Sequence, residues 1–558
     1  MSNSDIAEQL EFTGKLLTLH DLDENKAKLY GSLAFSLDKL EEDLAAMDEL
    51  QLLKVRGIGK SLVKTIQELI ERGSSTELEE LIAQTPEGVL DMFRVKGLGV
   101  KKIKSLWQEY GIDNLNDLQI ACESGKIAGM KGFGEKTQQS ILDSLAFIKQ
   151  ESGKLRMDQG RVLSTEIIGR LKAVFEDITE VGAIPRNLET VDALSFLTAS
   201  GISGKNRLPE EFQEDMSISS PFVWRGSYLG NQIPVEIRFT EKQEFGRYQI
   251  LSNASPEHLN YVSAEKGKFL HLIKRNLFDH EAAYYESFGS NFIVPEMREG
   301  IGEFEWAMKH QNEELISWDS LKGCLHNHSK YSDGKNTLKE MADACKQLGF
   351  EYFGIADHSQ TAAYANGLIA GRVVQQQAEI DSLNAGYESF KILKGIESDI
   401  LSDGSLDYEN DILATFDYVV ASVHANLDMD ETRATARLVR AIENPYTTIL
   451  GHPTGRLLLT RKGYPVDYKK IIDACAANKV VMEINASPYR LDLDWRWIPY
   501  CLEKGVMLSI NPDAHKIEGI QDMHYGIAVA RKAGLTREMT FNAMPLAAMK
   551  EYLKSKRG

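Results

Sequence analysis

Residues 321–333 read LKGCLHNHSKYSD, an apolar run that ends in His326-Asn327-His328 and is followed by Asp333. Alternate residues of a strand share a face, so this spacing predicts a strand from which His326 and His328 reach one ion together. Neutral imidazole suits zinc, iron and manganese, and a carboxylate widens the choice. Alone the triplet is a weak signal, because two satisfied or exposed histidines read the same way. Six further apolar runs strengthen it, since each stops at a potential ligand. Residues 352–356 stop at Asp357-His358, 392–396 at Glu397, 418–423 at His424 and 448–451 at His452. Residues 480–482 stop at Glu483 and Asn485, and 507–510 at Asn511, Asp513 and His515. Six of the 12 histidines fall at these positions, a coincidence that unrelated structural roles do not account for.

The elements that must position them alternate. Helix-like segments at 338–348, 373–383, 468–477 and 525–533 lie between the apolar runs. Strands alternating with helices predict a parallel sheet. Seven such units in about 200 residues predict a small closed β/α barrel, whose chemistry sits at the C-terminal strand ends.

In this order, the HxH, the following Asp, Asp-His, Gly-Ile-Glu, Ser-Val-His, Gly-His-Pro and Asp-Ala-His resemble the PHP (polymerase and histidinol phosphatase) family over residues 320–555. Nine ligand positions of that family match: His326, His328, Asp333, His358, Glu397, His424, His452, Asp513 and His515. The resemblance implies a distorted (β/α)7 barrel, up to three divalent ions, manganese or zinc, and phosphoester hydrolysis. It implies that His326, His328, Glu397 and Asp513 surround one ion. Asp333, His358, His452 and His515 then serve the others, with Glu397 bridging and His424 completing the set. Glu397 and His424 are the expected catalytic residues, together with Arg490 as a bidentate phosphate clamp beyond a strand end. A surface ion pair is the alternative for Arg490, as it is for Arg456. Lys330 and Tyr331 lie close enough to the HxH to touch a nucleotide.

A chain of 558 residues is too long for one core and predicts three or four domains. Its hydrophobic content of 43% and charged content of 26% are those of a soluble globular protein. No apolar run is long enough for a membrane span, and the opening MSNSDIAEQLEF lacks the pattern of a secretory signal. Five cysteines without CxxC spacing fit a reducing cytoplasm. The net charge of −18 excludes wrapping nucleic acid by bulk positive charge, though not binding through a local surface.

Residues 1–150 read as helical, with apolar residues at helical spacing over 6–19, 28–43, 62–71, 78–82, 103–110 and 138–147. Three glycine turns punctuate them: Val55-Arg56-Gly57-Ile58-Gly59-Lys60, Val95-Lys96-Gly97-Leu98-Gly99-Val100-Lys101 and Met130-Lys131-Gly132-Phe133-Gly134-Glu135-Lys136. Helix-opening N–H groups can hold a phosphate, helped by the helix dipole. Three turns with the same flanks resemble helix-hairpin-helix motifs, which imply DNA-backbone binding without sequence readout. Gly57, Gly59, Lys60, Gly97, Gly99, Lys101, Gly132, Gly134 and Lys136 are the expected contacts.

Residues 145–160 are polar and basic and predict a linker. Beyond them, 162–175 reads as a helix, and 235–239 alternates as a half-buried strand. Residues 155–310, with the helical part, resemble a bacterial family X DNA polymerase whose α+β palm is degenerate. The family sets Gly-Ser, basic residues and Glu-Thr-Val-Gly-Asp-x-Asp on a palm strand, with a third Asp on a later strand. Here Gly182, Arg186 and Glu189-Thr190-Val191 match, but the serine is Ala183, and the three metal-binding positions are Ala193, Ser195 and Glu236. Alanine cannot ligate Mg²⁺, and serine is a poor substitute for a carboxylate. Asp192 is one residue out of place, which on a strand turns it to the other face. Pro295-Glu296-Met297-Arg298 and Gly302-Glu303 match the lead into the barrel, which begins near residue 320 and runs to 558.

The expectation is a monomeric, cytoplasmic DNA-repair hydrolase with a dead polymerase module. It would act as a 3′-to-5′ exonuclease or 3′-end phosphatase, with abasic sites as a further substrate, and have no membrane partner. A small-molecule phosphatase of the histidinol-phosphate kind is the main alternative. A non-enzymatic DNA-binding scaffold and an active repair polymerase with an attached nuclease are the others.

Overall fold

The three glycine turns are built alike. Gly57, Gly97 and Gly132 take φ of 92°, 90° and 86°, a left-handed backbone that side chains with a Cβ avoid. The apolar residue between the glycines closes the same turn each time. Ile58, Leu98 and Phe133 donate their N–H to the carbonyls of Val55, Val95 and Met130 at 3.0, 3.2 and 3.0 Å. Gly59, Gly99 and Gly134 then become the N-caps of Lys60–Arg72, Val100–Lys104 and Glu135–Glu151, none with a side chain capping the first turn. The structure is a computed structural model that describes residues 1–556 except 2, 39 and 41. The helix expected over 28–43 is Glu24–Asp38 instead, followed by a 3-10 turn at Leu44–Ala46. Asp43 caps that turn by accepting from Ala45 N. Residues 39 and 41 of that stretch lie outside the described residues. Helix Leu115–Glu123, N-capped by Asn114, adds an element that periodicity did not reveal.

The chain divides into two compact units, Met1–Ser152 and Gly153–Gly558. The second unit contains both the 155–310 stretch and the barrel. The palm is a five-stranded sheet in the order Ile178–Val181, Leu194–Thr198, Val235–Phe239, Val223–Tyr228, Phe212–Glu214. Leu194–Thr198 pairs in parallel with Val235–Phe239, with Ser195 opposite Glu236. Helix Met157–Lys172 packs on this sheet, and its first residue, Met157, also joins the barrel's apolar core. Residues 245–307 form a separate aromatic core around Phe269, Tyr285, Phe288 and Phe304.

The barrel strands run in chain order. Gly323–Cys324 pairs with Tyr352–Gly354 and then Lys391–Leu393; the strand resumes as Gly395–Asp399, followed by Tyr418–Ser422, Ile449–Leu450, Val481–Asn485 and Leu508–Asn511. All pairings are parallel. Single bridges link the ends: His358 to Glu397, and Asn327 to Ala514 between the first and last strands. At the other end of that seam Asn542 replaces a ladder. Its amide donates to Gly323 O and Ile510 O at 3.1 and 2.7 Å and accepts from Ile510 N at 3.0 Å. Asn542 thus links the first and last strands through its side chain.

Candidate metal centre

Every barrel strand end carries a buried polar side chain, and the cluster they form is centred on Glu397. Its Oε1 lies 3.0 Å from His452 Nε2 and 3.2 Å from both His326 Nε2 and His424 Nε2. Its Oε2 lies 3.0 Å from His358 Nδ1 and 3.7 Å from His328 Nε2. Asp513 Oδ1 stands 3.0 Å from His328 Nε2, and Asp333 Oδ1 3.4 and 3.7 Å from the Nε2 atoms of His515 and His358. All nine expected residues therefore come together. They fall into four overlapping sets: His328, Asp333, His358 and His515; His326, His328 and Asp513; His326, Glu397 and His452; and His358, Glu397 and His424. His452 thus lies with His326 and Glu397 rather than with Asp333 and His515.

His326 and His328 converge, but not as alternate residues of a strand. The first strand ends at Cys324, and His326 has φ of 58°. His452 and Asp513 also have positive φ, 20° and 53°. Such backbones persist only where surrounding structure holds them. At His326 the neighbouring Asn327 supplies that hold, accepting from Cys324 Sγ and donating to Gly354 O at 3.0 Å.

The donor set fits divalent ions. His326 Nε2, His328 Nδ1, His358 Nδ1, Glu397 Oε2 and His452 Nδ1 are buried atoms without a hydrogen-bond partner. His358 Nδ1 and Glu397 Oε2 are only 3.0 Å apart, yet without hydrogen-bond alignment. Nitrogens and carboxylate oxygens that crowd together unpaired have their lone pairs available to a shared cation. Six imidazoles with three carboxylates suit zinc, manganese or iron over calcium or magnesium.

The electrostatics divide the histidines: burial is outweighed by the carboxylates at His326, His358 and His424, which are raised, but not at His328. Burial, then the charges of His515 and His358, lower His328 to about 3, so it is neutral at neutral pH. Burial would raise Glu397, but His424, His326 and His358 outweigh it and hold that carboxyl well below its usual range. Asp513 is held down in the same way by His326, His328 and His515. Burial would lower His424, but Glu397 and Asp399 outweigh it and push it up to about 10.

Sequence reasoning missed the side chains that orient the ligands. Glu483 Oε1 accepts from His326 Nδ1 at 2.6 Å, and Asp399 Oδ1 from His424 Nδ1 at 2.5 Å. When a cation displaces the Nε2 proton, each bond keeps the other proton on Nδ1 and leaves Nε2 to ligate on the side of Glu397. Asp399 was detectable as the same-face neighbour of Glu397, two residues along Gly395–Asp399. Glu483 was visible only as a carboxylate ending an apolar run. Asp357 does not reach the cluster; it accepts from Ser329 N and Oγ, Ser332 Oγ and Gln376, and shapes the loop after the HxH. Arg490 stands at the rim, its Nε 3.6 Å from Asp513 Oδ2. Arg456 instead braces the loop, donating to Arg490 O, Leu491 O and Asp494. Tyr331 donates to Glu379 at 2.6 Å, and Lys330 is exposed.

In the palm, Ala193 and Ser195 are half-buried and Asp192 is exposed. Asp192 lies between two strands, not on one as expected. Glu236 Oε2 accepts from Arg225 Nε at 2.8 Å. Arg186 is bound to Glu299 at 3.0 and 2.6 Å, and Lys532 of the barrel donates to the same carboxylate at 2.8 Å. In the N-terminal unit Gly57, Gly59, Gly132, Lys60, Lys101 and Lys136 are exposed, and a Cβ built at Gly59, Gly99 or Gly134 meets nothing within 4 Å.

The fold and cluster define a class, a hydrolase built on a metal-dependent PHP domain, and comparison agrees. The PHP domain model matches residues 325–487, a helix-hairpin-helix domain residues 1–75, and a SAM-like helix-hairpin-helix tandem residues 89–146. The chain is 34% identical to the DNA polymerase/3'-5' exonuclease PolX of Bacillus subtilis (strain 168), over 99% of this chain and 100% of that protein. The chain belongs to the PolX family. A probable phosphatase of Thermoanaerobacter sp. (strain X514) is 31% identical over 40% of this chain and 89% of its own. Another, of Caldanaerobacter subterraneus subsp. tengcongensis, is 26% identical over 40% of this chain and 86% of its own. Among the described residues no helix is long and apolar enough to cross a membrane.

Proposed function

We propose that the barrel hydrolyses phosphoesters at DNA ends, as a 3′-to-5′ exonuclease or 3′-end phosphatase serving repair, and that the palm no longer polymerises. The observation that carries the hydrolytic half is Glu397 within 3.0–3.7 Å of five imidazoles at the barrel mouth. His326, His328, Asp333, His358, Glu397, His424, His452, Asp513 and His515 would hold the ions. Divalent ions bound there supply Lewis acidity and an activated water for phosphoester hydrolysis. Glu397, which belongs to two of the sets, would serve both, and Glu483 and Asp399 would keep His326 and His424 turned to ligate through Nε2. Arg490 presents its guanidinium from the rim, where it can grip non-bridging phosphate oxygens.

DNA is the substrate class because three like turns expose helix-opening N–H groups and a lysine, suited to a phosphate backbone. The palm reading rests on its side chains. Two of its three metal positions are Ala193 and Ser195, and the third, Glu236, is neutralised by Arg225. Arg186, the basic residue of the Gly-Ser segment, is occupied by Glu299.

A 5′-labelled primer–template incubated with Mn²⁺, with and without dNTPs, tests both halves. Shortening without extension is expected. Extension would refute the dead palm. An unchanged primer, with phosphate released from a small monoester, would favour the small-molecule phosphatase.

A further inference from the structure

A second arginine, Arg461, stands on a loop tied to the one that carries Arg490. Arg461 follows the fifth strand on a loop where Leu457 and Arg461 bridge. One of its terminal nitrogens donates to Gly455 O at 2.8 Å, while its Nε is buried with no hydrogen-bond partner. Among the described residues no carboxylate comes within ion-pair distance of it. Tyr464, 7% exposed on the same loop, also has its hydroxyl buried without a partner.

This loop is laced to the one that carries Arg490. Leu458 N donates to Tyr489 O at 2.7 Å, and Arg456 Nε to Arg490 O at 2.9 Å. The two guanidinia feel each other: burial, and then the Arg490 charge, disfavour the protonated form of Arg461. Like charges held together on a braced frame, one with an unsatisfied donor, form an arrangement that an anion stabilises. Arg490 already faces the cluster through Asp513, so the anion beside Arg461 is a second one. The loop after the second strand adds Tyr364, 51% exposed, its ring centroid 6.0 Å from His358 and 6.4 Å from His424.

We propose that Arg461, together with Arg490, forms a phosphate subsite for the phosphodiester next to the scissile one, so that the barrel selects a polynucleotide end over a lone phosphate ester. This rests on the reading of the barrel as a phosphoesterase acting on DNA. The test compares full-length wild type and Arg461→Gln, with Mn²⁺, on three substrates. These are bis(p-nitrophenyl) phosphate, a single-stranded oligothymidylate, and the same oligonucleotide with a neutral methylphosphonate at the linkage adjoining the terminal one. For wild type, kcat/KM falls about tenfold from the natural to the neutralised oligonucleotide, the effect of one charge-assisted contact. Arg461→Gln falls about tenfold on the natural oligonucleotide but loses no more on the neutralised one, because the partner charge is already gone. Arg461→Lys, which keeps the charge, recovers part of the loss and controls for folding. Losses that multiply on the neutralised substrate, or that are equal on all three, would overturn the subsite. Wild type that cleaves the small diester but neither oligonucleotide would overturn the DNA reading and the subsite together. Wild type that cleaves both oligonucleotides equally would overturn the subsite alone.

Discussion

Glu483→Gln should weaken metal binding while leaving the fold and the loaded enzyme nearly intact. The carboxylate is fully buried and serves donors on both oxygens. Oε1 accepts from His326 Nδ1 at 2.6 Å and Asn511 Nδ2 at 2.8 Å, and Oε2 from His452 N at 2.7 Å. Glutamine has the same shape but only one acceptor. If its oxygen stays with His326, its NH2 faces the His452 N–H, donor against donor. If the amide flips, the NH2 faces His326 Nδ1 and drives the imidazole proton to Nε2, the atom 3.2 Å from Glu397. Either arrangement loses a charge-assisted hydrogen bond of about 2 kcal/mol. At about 1.4 kcal/mol per tenfold that is about 30-fold in affinity, within the range for residues that orient metal-bound histidines. Calorimetric Mn²⁺ titration and the Mn²⁺ dependence of hydrolysis read it directly. We expect half-saturation to rise about 30-fold and kcat at saturating metal to change less than about threefold. Unchanged affinity would refute the orienting role. Lost kcat with unchanged affinity would make Glu483 a participant in the chemistry.

Three other outcomes are expected. His328→Ala, which removes an imidazole 3.0 Å from Asp513, should cut hydrolysis more than about a hundredfold and leave oligonucleotide binding by fluorescence anisotropy nearly unchanged. Gly97→Val should do the reverse: at φ of 90° a β-branched residue strains the turn by about 1–2 kcal/mol, so DNA affinity falls several-fold while a small chromogenic phosphodiester is still cleaved. Glu189→Gln tests the palm–barrel contact. Burial would raise the Glu189 carboxyl, but Arg496 and Arg456 outweigh it and hold it at about 2 against 4.5. A depressed carboxylate stabilises the fold fully above pH 4.5 and loses that contribution as pH falls toward 2. Discounted because Arg496 is 52% exposed, the contribution is about 2 kcal/mol. The difference in melting temperature between wild type and Glu189→Gln should therefore be largest at pH 7 and shrink progressively below pH 4.5; a difference independent of pH would refute it.

The barrel was legible because its signal is repeated. Six of the seven apolar runs end at residues of the cluster and the other at Glu483, which orients one of them, so one misjudged backbone does not disturb the sum. The local geometry was not legible. Periodicity put His326 on a strand, but its φ of 58° answers to Asn327 and Gly354, partners far apart in the chain. Glu483 reaches His326 across 157 residues, so no spacing rule could join them. The glycine turns were legible for the opposite reason. Their geometry is set within six or seven residues by left-handed φ and one i-to-i+3 hydrogen bond. The end of helix Glu24–Asp38 was missed because apolar spacing continues past it, into the separate turn at Leu44–Ala46.

What remains of the polymerase motif ties the palm to the barrel. Two of the residues that match the family pattern, Glu189 and Arg186, bond to the barrel. Glu189 accepts from Trp495 Nε1 at 3.0 Å and Arg496 at 2.8 Å. The Arg186 carbonyl accepts from buried Lys532 at 2.6 Å, and that ammonium lies 4.6 Å from the Trp495 ring centroid. Arg156 stacks 3.8 Å over Tyr489, the neighbour of Arg490. The positions that depart from the pattern, Ala193 and Ser195, touch none of these contacts. A palm retained for nucleotidyl transfer would keep the carboxylates and leave Arg186 open to a triphosphate. One retained as a brace would keep Glu189 and the Arg186 backbone in place and tolerate loss of the carboxylates. The side chains fit the brace, and through Arg156 and Tyr489 that brace reaches the loop from which Arg490 addresses the metal cluster.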